Sequence, residues 1–248
     1  MTAIRPGRTR RAVLVGAVCA LVVTGTALTG CSEDPDAGTN GVGKLSAEQI
    51  QARTRAAAGS AEALRLSGNV VTSGRTYKLD MRLSADGGSG SVTAEGTTFQ
   101  LLRIGEELYL KAGAGFWTQA DGKGEDTDAA ADKLDGKYVK VPAGDPAYKK
   151  FSGFTDKDVL LDGLLTLHGT LGTAGHHEQA GTRTIRITGD EGDGGTLDVS
   201  LEGQPYPLRL ARAGGAGTLT FSAWGKSFTL TEPEKDETVD YGKQLPSS

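Results

Sequence analysis

Tyr77-Lys78-Leu79-Asp80-Met81-Arg82-Leu83-Ser84 puts an apolar side chain at every odd position and a polar one at every even position. A period of two belongs to an extended strand, whose successive side chains point to opposite faces. One face of this strand is dry and the other wet, as in an antiparallel sheet covered on one side. Shorter runs of the same kind lie downstream: Val92 to Ala94, Phe99 to Ile104, Leu108 to Lys111, Phe116 to Gln119 and Tyr138 to Val141. After residue 180 the pattern returns at Ile185/Ile187, Leu197/Val199/Leu201, Leu208/Leu210, Leu219/Phe221 and Phe228/Leu230. Turn residues such as Ala85-Asp86-Gly87-Gly88 and Gly113-Ala114-Gly115 separate the runs. Short strands at this spacing predict an antiparallel sheet or barrel, and 37 glycines suit many hairpins and strong curvature.

Two stretches break the period. Upstream, Ala47, Ile50, Thr54, Ala57 and Ala61 share one helical face behind Ser46, a good N-cap. In the middle, Asp145-Pro146 opens a short helix through Lys150. Thr155-Asp156-Lys157-Asp158 then resembles a capping box ahead of Val159-Leu160-Leu161 and Leu164-Leu165-Thr166-Leu167. This second helix is apolar around most of its circumference, so it needs cover on several sides. The concave face of a curved sheet would supply that cover. The fold class expected is mainly β with helices (α+β), a single curved antiparallel sheet, or half-barrel, with helices packed on its concave face.

The N-terminus reads as an address. Arg5, Arg8, Arg10 and Arg11 precede an uncharged stretch whose apolar core, Ala12 to Val23, is too short to span a bilayer, which needs about 20 residues. A basic region, a short apolar region and small residues form a secretory signal. Leu28-Thr29-Gly30-Cys31 resembles a lipobox, in which the cysteine is acylated and becomes the first residue of the mature chain. Residues 1–30 are therefore expected to be a lipoprotein signal peptide, 31–45 a lipidated N-terminus and flexible tether, and 46–248 the folded domain. Ser32 to Gly43 has Val42 as its one large apolar residue, which suits a tether. Cys31 is the expected lipid attachment site. Two or more acyl chains hold a protein stably on a membrane.

Charge and chemistry narrow the function. Without its four leader arginines the chain keeps 23 of 27 basic residues against 31 acidic ones, a formal −8. That balance argues against nucleic acid and against electrostatic adhesion to anionic lipid. Cys19 falls in the leader and Cys31 carries the lipid, so no disulfide framework is expected. His176-His177-Glu178 lies in a Gly-rich stretch and reads as a solvated loop, and His168 as a helix-end residue. Glu125-Asp126-Thr127-Asp128 and Asp190-Glu191-Gly192-Asp193 fit no calcium loop and read as a solvated loop and a hairpin turn. There is no G-x-S-x-G elbow, and Gly225-Lys226-Ser227 lacks the upstream glycine of a phosphate loop. Trp117 and Trp224 read as sheet packing. No metal, no cofactor and no enzyme activity are expected.

Several segments together resemble the actinobacterial LppX/LprG-type lipoproteins, relatives in fold of the LolA/LolB carriers. They are Gly105-Glu106-Glu107-Leu108-Tyr109-Leu110-Lys111 with Phe116-Trp117, and Lys137-Tyr138-Val139-Lys140-Val141. Tyr206-Pro207-Leu208-Arg209-Leu210, Thr218 to Trp224 and the closing Leu230-Thr231-Glu232-Pro233 complete the set. The family often carries a tryptophan near Leu197-Asp198-Val199, and this chain has none there. The resemblance implies a half-barrel enclosing a hydrophobic cavity that binds acylated lipids or lipoproteins without catalysis. Tyr77, Leu79, Met81 and Leu83, facing Leu160, Leu161, Leu164 and Leu165, are the expected lining. The same residues read equally well as an ordinary packed core. The expected function is a lipoprotein on the outer face of the cell membrane that binds a hydrophobic or acylated ligand and carries it across the envelope. The alternative is a sensor or scaffold using the fold for an envelope protein partner.

Overall fold

In the computed structural model, which describes residues 34–121 and 125–240, the alternating run is strand β2 (Arg75–Ser84). It is buried at Tyr77, Leu79, Met81 and Leu83 and wholly or partly open between them. β1 (Ala63–Thr72) and β3 (Gly87–Ala94) pair with it antiparallel. The meander continues through β4 (Thr97–Ile104), β5 (Glu107–Ala112) and β6 (Tyr138–Val141). On the other side β1 pairs with β11 (Gly217–Ser222), followed by β10 (Pro207–Arg212), β9 (Gly195–Ser200), β8 (Thr182–Gly189) and β7 (Leu171–Gln179). β12 (Thr238–Asp240) adds to β6 in parallel. The result is one twelve-stranded sheet whose terminal strands, β12 and β7, do not pair with each other. It is the open half-barrel expected, and otherwise antiparallel. Register aligns its dry face in rows: Leu110, Leu101, Gly90, Met81, Leu66 and Phe221 stand side by side on successive strands.

The helices cover that dry face. α1 (Ala47–Ser60) starts with a capping box between Ser46 and Gln49 and buries the face expected of it, Ala47, Ile50, Thr54, Ala57 and the following Ala61. α4 (Pro146–Thr155) begins at the Asp145 cap but runs well past Lys150 and lies against β2, β3 and β4. Ala147, Phe151 and Phe154, four and three residues apart, keep its apolar stripe going. The cap of α5 (Lys157–Leu164) is Asp156, whose carboxylate accepts from the Asp158 and Val159 amides. α5 buries Leu161 and Leu164 and leaves Val159 63% exposed, so its apolar circumference is covered on one side only.

Four expectations are corrected. Phe116 to Gln119 is not a strand: it lies in α2 (Ala114–Asp121), which packs on β4 and β5 and on α3 (Glu125–Leu134). The carboxylate that accepts from the first amide of α2 belongs to Asp135, beyond α3, a cap that no local pattern shows. Phe228 and Leu230 are not in a strand either. They sit on an irregular strap, tied to the sheet where the Tyr109 hydroxyl donates to Glu232 Oε1 at 3.1 Å. Burial, reinforced by Glu232, raises the Tyr109 pKa. The Gly- and His-rich stretch is not a loop but edge strand β7, exposed along most of its length and bulged between Thr173 and His176, which erases any alternation. Glu125 to Asp128 is helical, being the start of α3.

The segment expected to be a tether is fixed from Asp36 onward. Asn40 donates through its side-chain amide to Ser200 and Gly203 carbonyls, and through its backbone amide to Leu201 O. The Arg183 guanidinium reaches Ala37 O and Gly38 O, His176 Nε2 lies 3.0 Å from Asp36 Oδ1, and Val42 is buried. Any free tether is therefore shorter than the dozen residues the composition suggested. The signal peptide, the lipobox and Cys31 lie outside the described residues.

Candidate functional site

Strands β2, β3 and β4 have two ends, and α4 treats them differently. At the end near Leu83, β3 presents Gly88. A Cβ there would sit 2.7 Å from Leu83 Cδ2 and 2.9 Å from the carbonyl oxygen of Thr155, the last residue of α4. The missing side chain lets the helix end touch the sheet. Arg103, on β4 beside Gly88, fastens that end. Its guanidinium donates to Thr155 O at 3.2 Å, Thr155 Oγ1 at 3.3 Å and Asp156 Oδ2 at 3.4 Å. A cation at a helix C-terminus satisfies carbonyls and complements the dipole. Lys157, 4% exposed, does the same for α1: its ammonium donates to Gly59 O at 2.7 Å and Ala61 O at 3.0 Å, and pairs with Asp158 at 3.0 Å.

At the opposite end the same strands and the second half of α4, from Lys150 to Phe154, border a pocket of ≈ 280 Å³. Tyr77, Phe99, Phe116, Phe151 and Phe154 line it together with Ala94 and Thr97. Phe99 is the hub, with Phe116 and Phe151 ring centroids 5.3 Å and 5.4 Å away, and Tyr77 meets Phe154 at 5.9 Å. These are tilted and edge-on contacts, the arrangements aromatic rings prefer. Tyr77, Phe99 and Phe151 are buried, whereas Phe116 and Phe154 are half-open, so the pocket has a floor and a mouth. Arg75, Glu95 and Lys150 stand around it. Arg75 pairs with Glu95 at 3.4 Å, both well exposed, and the Lys150 ammonium lies 5.8 Å from the Phe151 ring centre. Behind Phe116, Trp117 is buried with its indole N–H unpartnered among the described residues.

The eight residues read from sequence do not come together at one place. Tyr77 lines the aromatic pocket. Leu161 and Leu165 border a second, polar-rimmed recess of ≈ 410 Å³ between α1 and α5, with Arg55, Gly59, Asp158 and Asp162; Arg55 and Asp162 form an ion pair across it. Leu79, Met81, Leu83 and Leu164 are packed in the core, and Leu160 rests on it half-buried. Phe99, Phe116, Phe151 and Phe154 were missed as lining residues. The signal that could have found Phe151 and Phe154 is the Ala147-Phe151-Phe154 stripe. Trp224 is sheet packing as read: it stacks on Tyr206 at 4.6 Å and donates to Pro207 O. Among the described residues no group of three or more His, Cys, Asp or Glu side chains could hold a metal ion.

No family model and no curated protein matches the chain. Solved structures do. LprF from Mycobacterium bovis is 15% identical, with a TM-score of 0.53, over 75% of this chain and 96% of that one. Mycobacterium tuberculosis lipoprotein LppX is 14% identical, with a TM-score of 0.44, over 74% of this chain and 99% of that one. The likeness to LprF extends over nearly the whole of that protein and shows a shared fold, in agreement with the resemblance read from the sequence.

Proposed function

We propose that this protein is a membrane-anchored lipoprotein that binds a lipid or other hydrophobic ligand in the aromatic pocket between β2–β4 and α4. The observation that carries this reading is a pocket of ≈ 280 Å³ walled by five aromatic side chains and left unfilled by the chain's own residues. Ligand sites are concave, mostly apolar and aromatic, with a few polar groups for orientation. Each methylene that leaves water for such a wall contributes about 0.8 kcal/mol, so a short alkyl chain binds without elaborate polar recognition. Tyr77 is the one residue of the sequence-read lining that belongs to this site. Shared fold supports the reading without deciding it, since one fold hosts many functions.

The anchor part of the proposal rests on Cys31 and the lipobox around it. No described helix is long and apolar enough to cross a membrane. Growth with labelled palmitate should mark the wild-type protein, and Cys31→Ala should abolish the label; continued labelling of that variant would overturn the assignment. For the pocket, native mass spectrometry of protein purified without detergent should show an added mass of an apolar small molecule, or uptake of an added alkyl chain. A chain that carries none and takes none would leave the fold to a protein partner instead.

A further inference from the structure

Resting on that reading, we infer that the pocket selects a single-chain anionic amphiphile: one alkyl chain among the phenylalanines and a carboxylate or phosphate-type head at the mouth. Size carries the first half. At ≈ 280 Å³ the pocket lies just under the range of about 300–1,000 Å³ typical of small-molecule sites, room for one chain and not for the several of a membrane lipid. Charge carries the second half. The mouth holds Arg75 and Lys150 against Glu95 alone, a local excess of positive charge on a chain whose formal net charge is −4. Among the described residues Arg75 is engaged only by an exposed pair with Glu95 at 3.4 Å, and such a pair is weak in water. Its planar fork suits a carboxylate or phosphate better than Glu95 holds it at that distance. Lys150, exposed on α4 next to Phe151, stands at the same mouth. A ligand seated this way leaves its polar end in solvent, where charged groups pay least for desolvation.

The test is a calorimetric titration of the purified protein with decanoate, decyltrimethylammonium and 1-decanol, three probes with the same chain and different heads. Decanoate should bind on the order of tenfold tighter than decanol, and decyltrimethylammonium weakest. Added salt should weaken decanoate alone. The double variant Arg75→Glu with Lys150→Glu, both at exposed positions, should reverse the order of the two ions and leave decanol unchanged. Equal affinity for all three probes, unmoved by that variant, would overturn the head-group inference and leave the hydrophobic pocket standing. Failure of all three to bind would overturn both. A two-chain lipid, didecanoyl phosphatidylglycerol, should bind more weakly than decanoate; tighter binding would contradict the single-chain limit.

Discussion

The two ends of β2–β4 are built from one alternating pattern and reach opposite outcomes. At one end a glycine, Gly88, takes the place of a side chain, and the helix closes onto the backbone. At the other end Phe99, Tyr77 and the helical phenylalanines line a pocket between sheet and helix. The rings meet there at centroid distances of 5.3–5.9 Å, and a pocket remains between them. The charged groups follow the same division. At the closed end Arg103 and Lys157 are spent on helix carbonyls, whereas at the open end Arg75 and Lys150 remain in solvent.

Breaking the closed end should have the largest effect. Lys157→Glu would set a buried carboxylate against Gly59 O, Ala61 O and Asp158, and is expected to cost about 3–5 kcal/mol in urea unfolding. Gly88→Val would force α4 off the sheet and should cost about 1–3 kcal/mol by the same measurement; wild-type stability would show that Thr155 does not rest on Gly88. At the open end the balance should invert. Phe154→Ala, at a half-open rim position, should cost about 1 kcal/mol of stability yet weaken decanoate on the order of tenfold. A large stability loss with unchanged decanoate binding would erase the distinction between the ends.

The smallest expected effect belongs to neither end. On the wet face Arg65 donates two hydrogen bonds to Asp80, at 2.8 Å and 2.6 Å, and these hold the Asp80 carboxyl below its ordinary pKa. A depressed carboxylate pKa contributes stability that is present above the unfolded-state value and is lost as pH falls through the folded one. Unfolding measured from pH 5 downward should therefore show a slightly steeper acid loss in wild type than in Asp80→Asn. The difference should stay under about 1 kcal/mol, because the pair is nearly half exposed. Ligand affinity should not differ between the two proteins at pH 7.

Much of this contrast was legible in the sequence, and the limits are physical. Strict alternation from Tyr77 to Leu83 gave the sheet and its dry face, because one-sided burial leaves a period-two record. Edge strand β7 left none, since nearly all its side chains face solvent, and β12 is too short to carry a pattern. Asp145-Pro146 announced the start of α4, but its end at Thr155 is fixed by Arg103, far away in sequence. The site was half legible for the same reason. Leu79, Met81 and Leu83 look like Tyr77 in the sequence, yet in the fold they pack in the core while Tyr77 lines a pocket, a difference set by which neighbours cover them and not by the alternation.

The most direct test of the open end is photolabelling with a decanoate analogue that carries a diazirine at the chain terminus, followed by peptide mapping. Adducts are expected on the peptides bearing Phe99, Phe116 and Phe154. Adducts concentrated at Leu161 and Leu165, or on the strap around Leu230, would contradict the assignment of the ligand to the aromatic pocket.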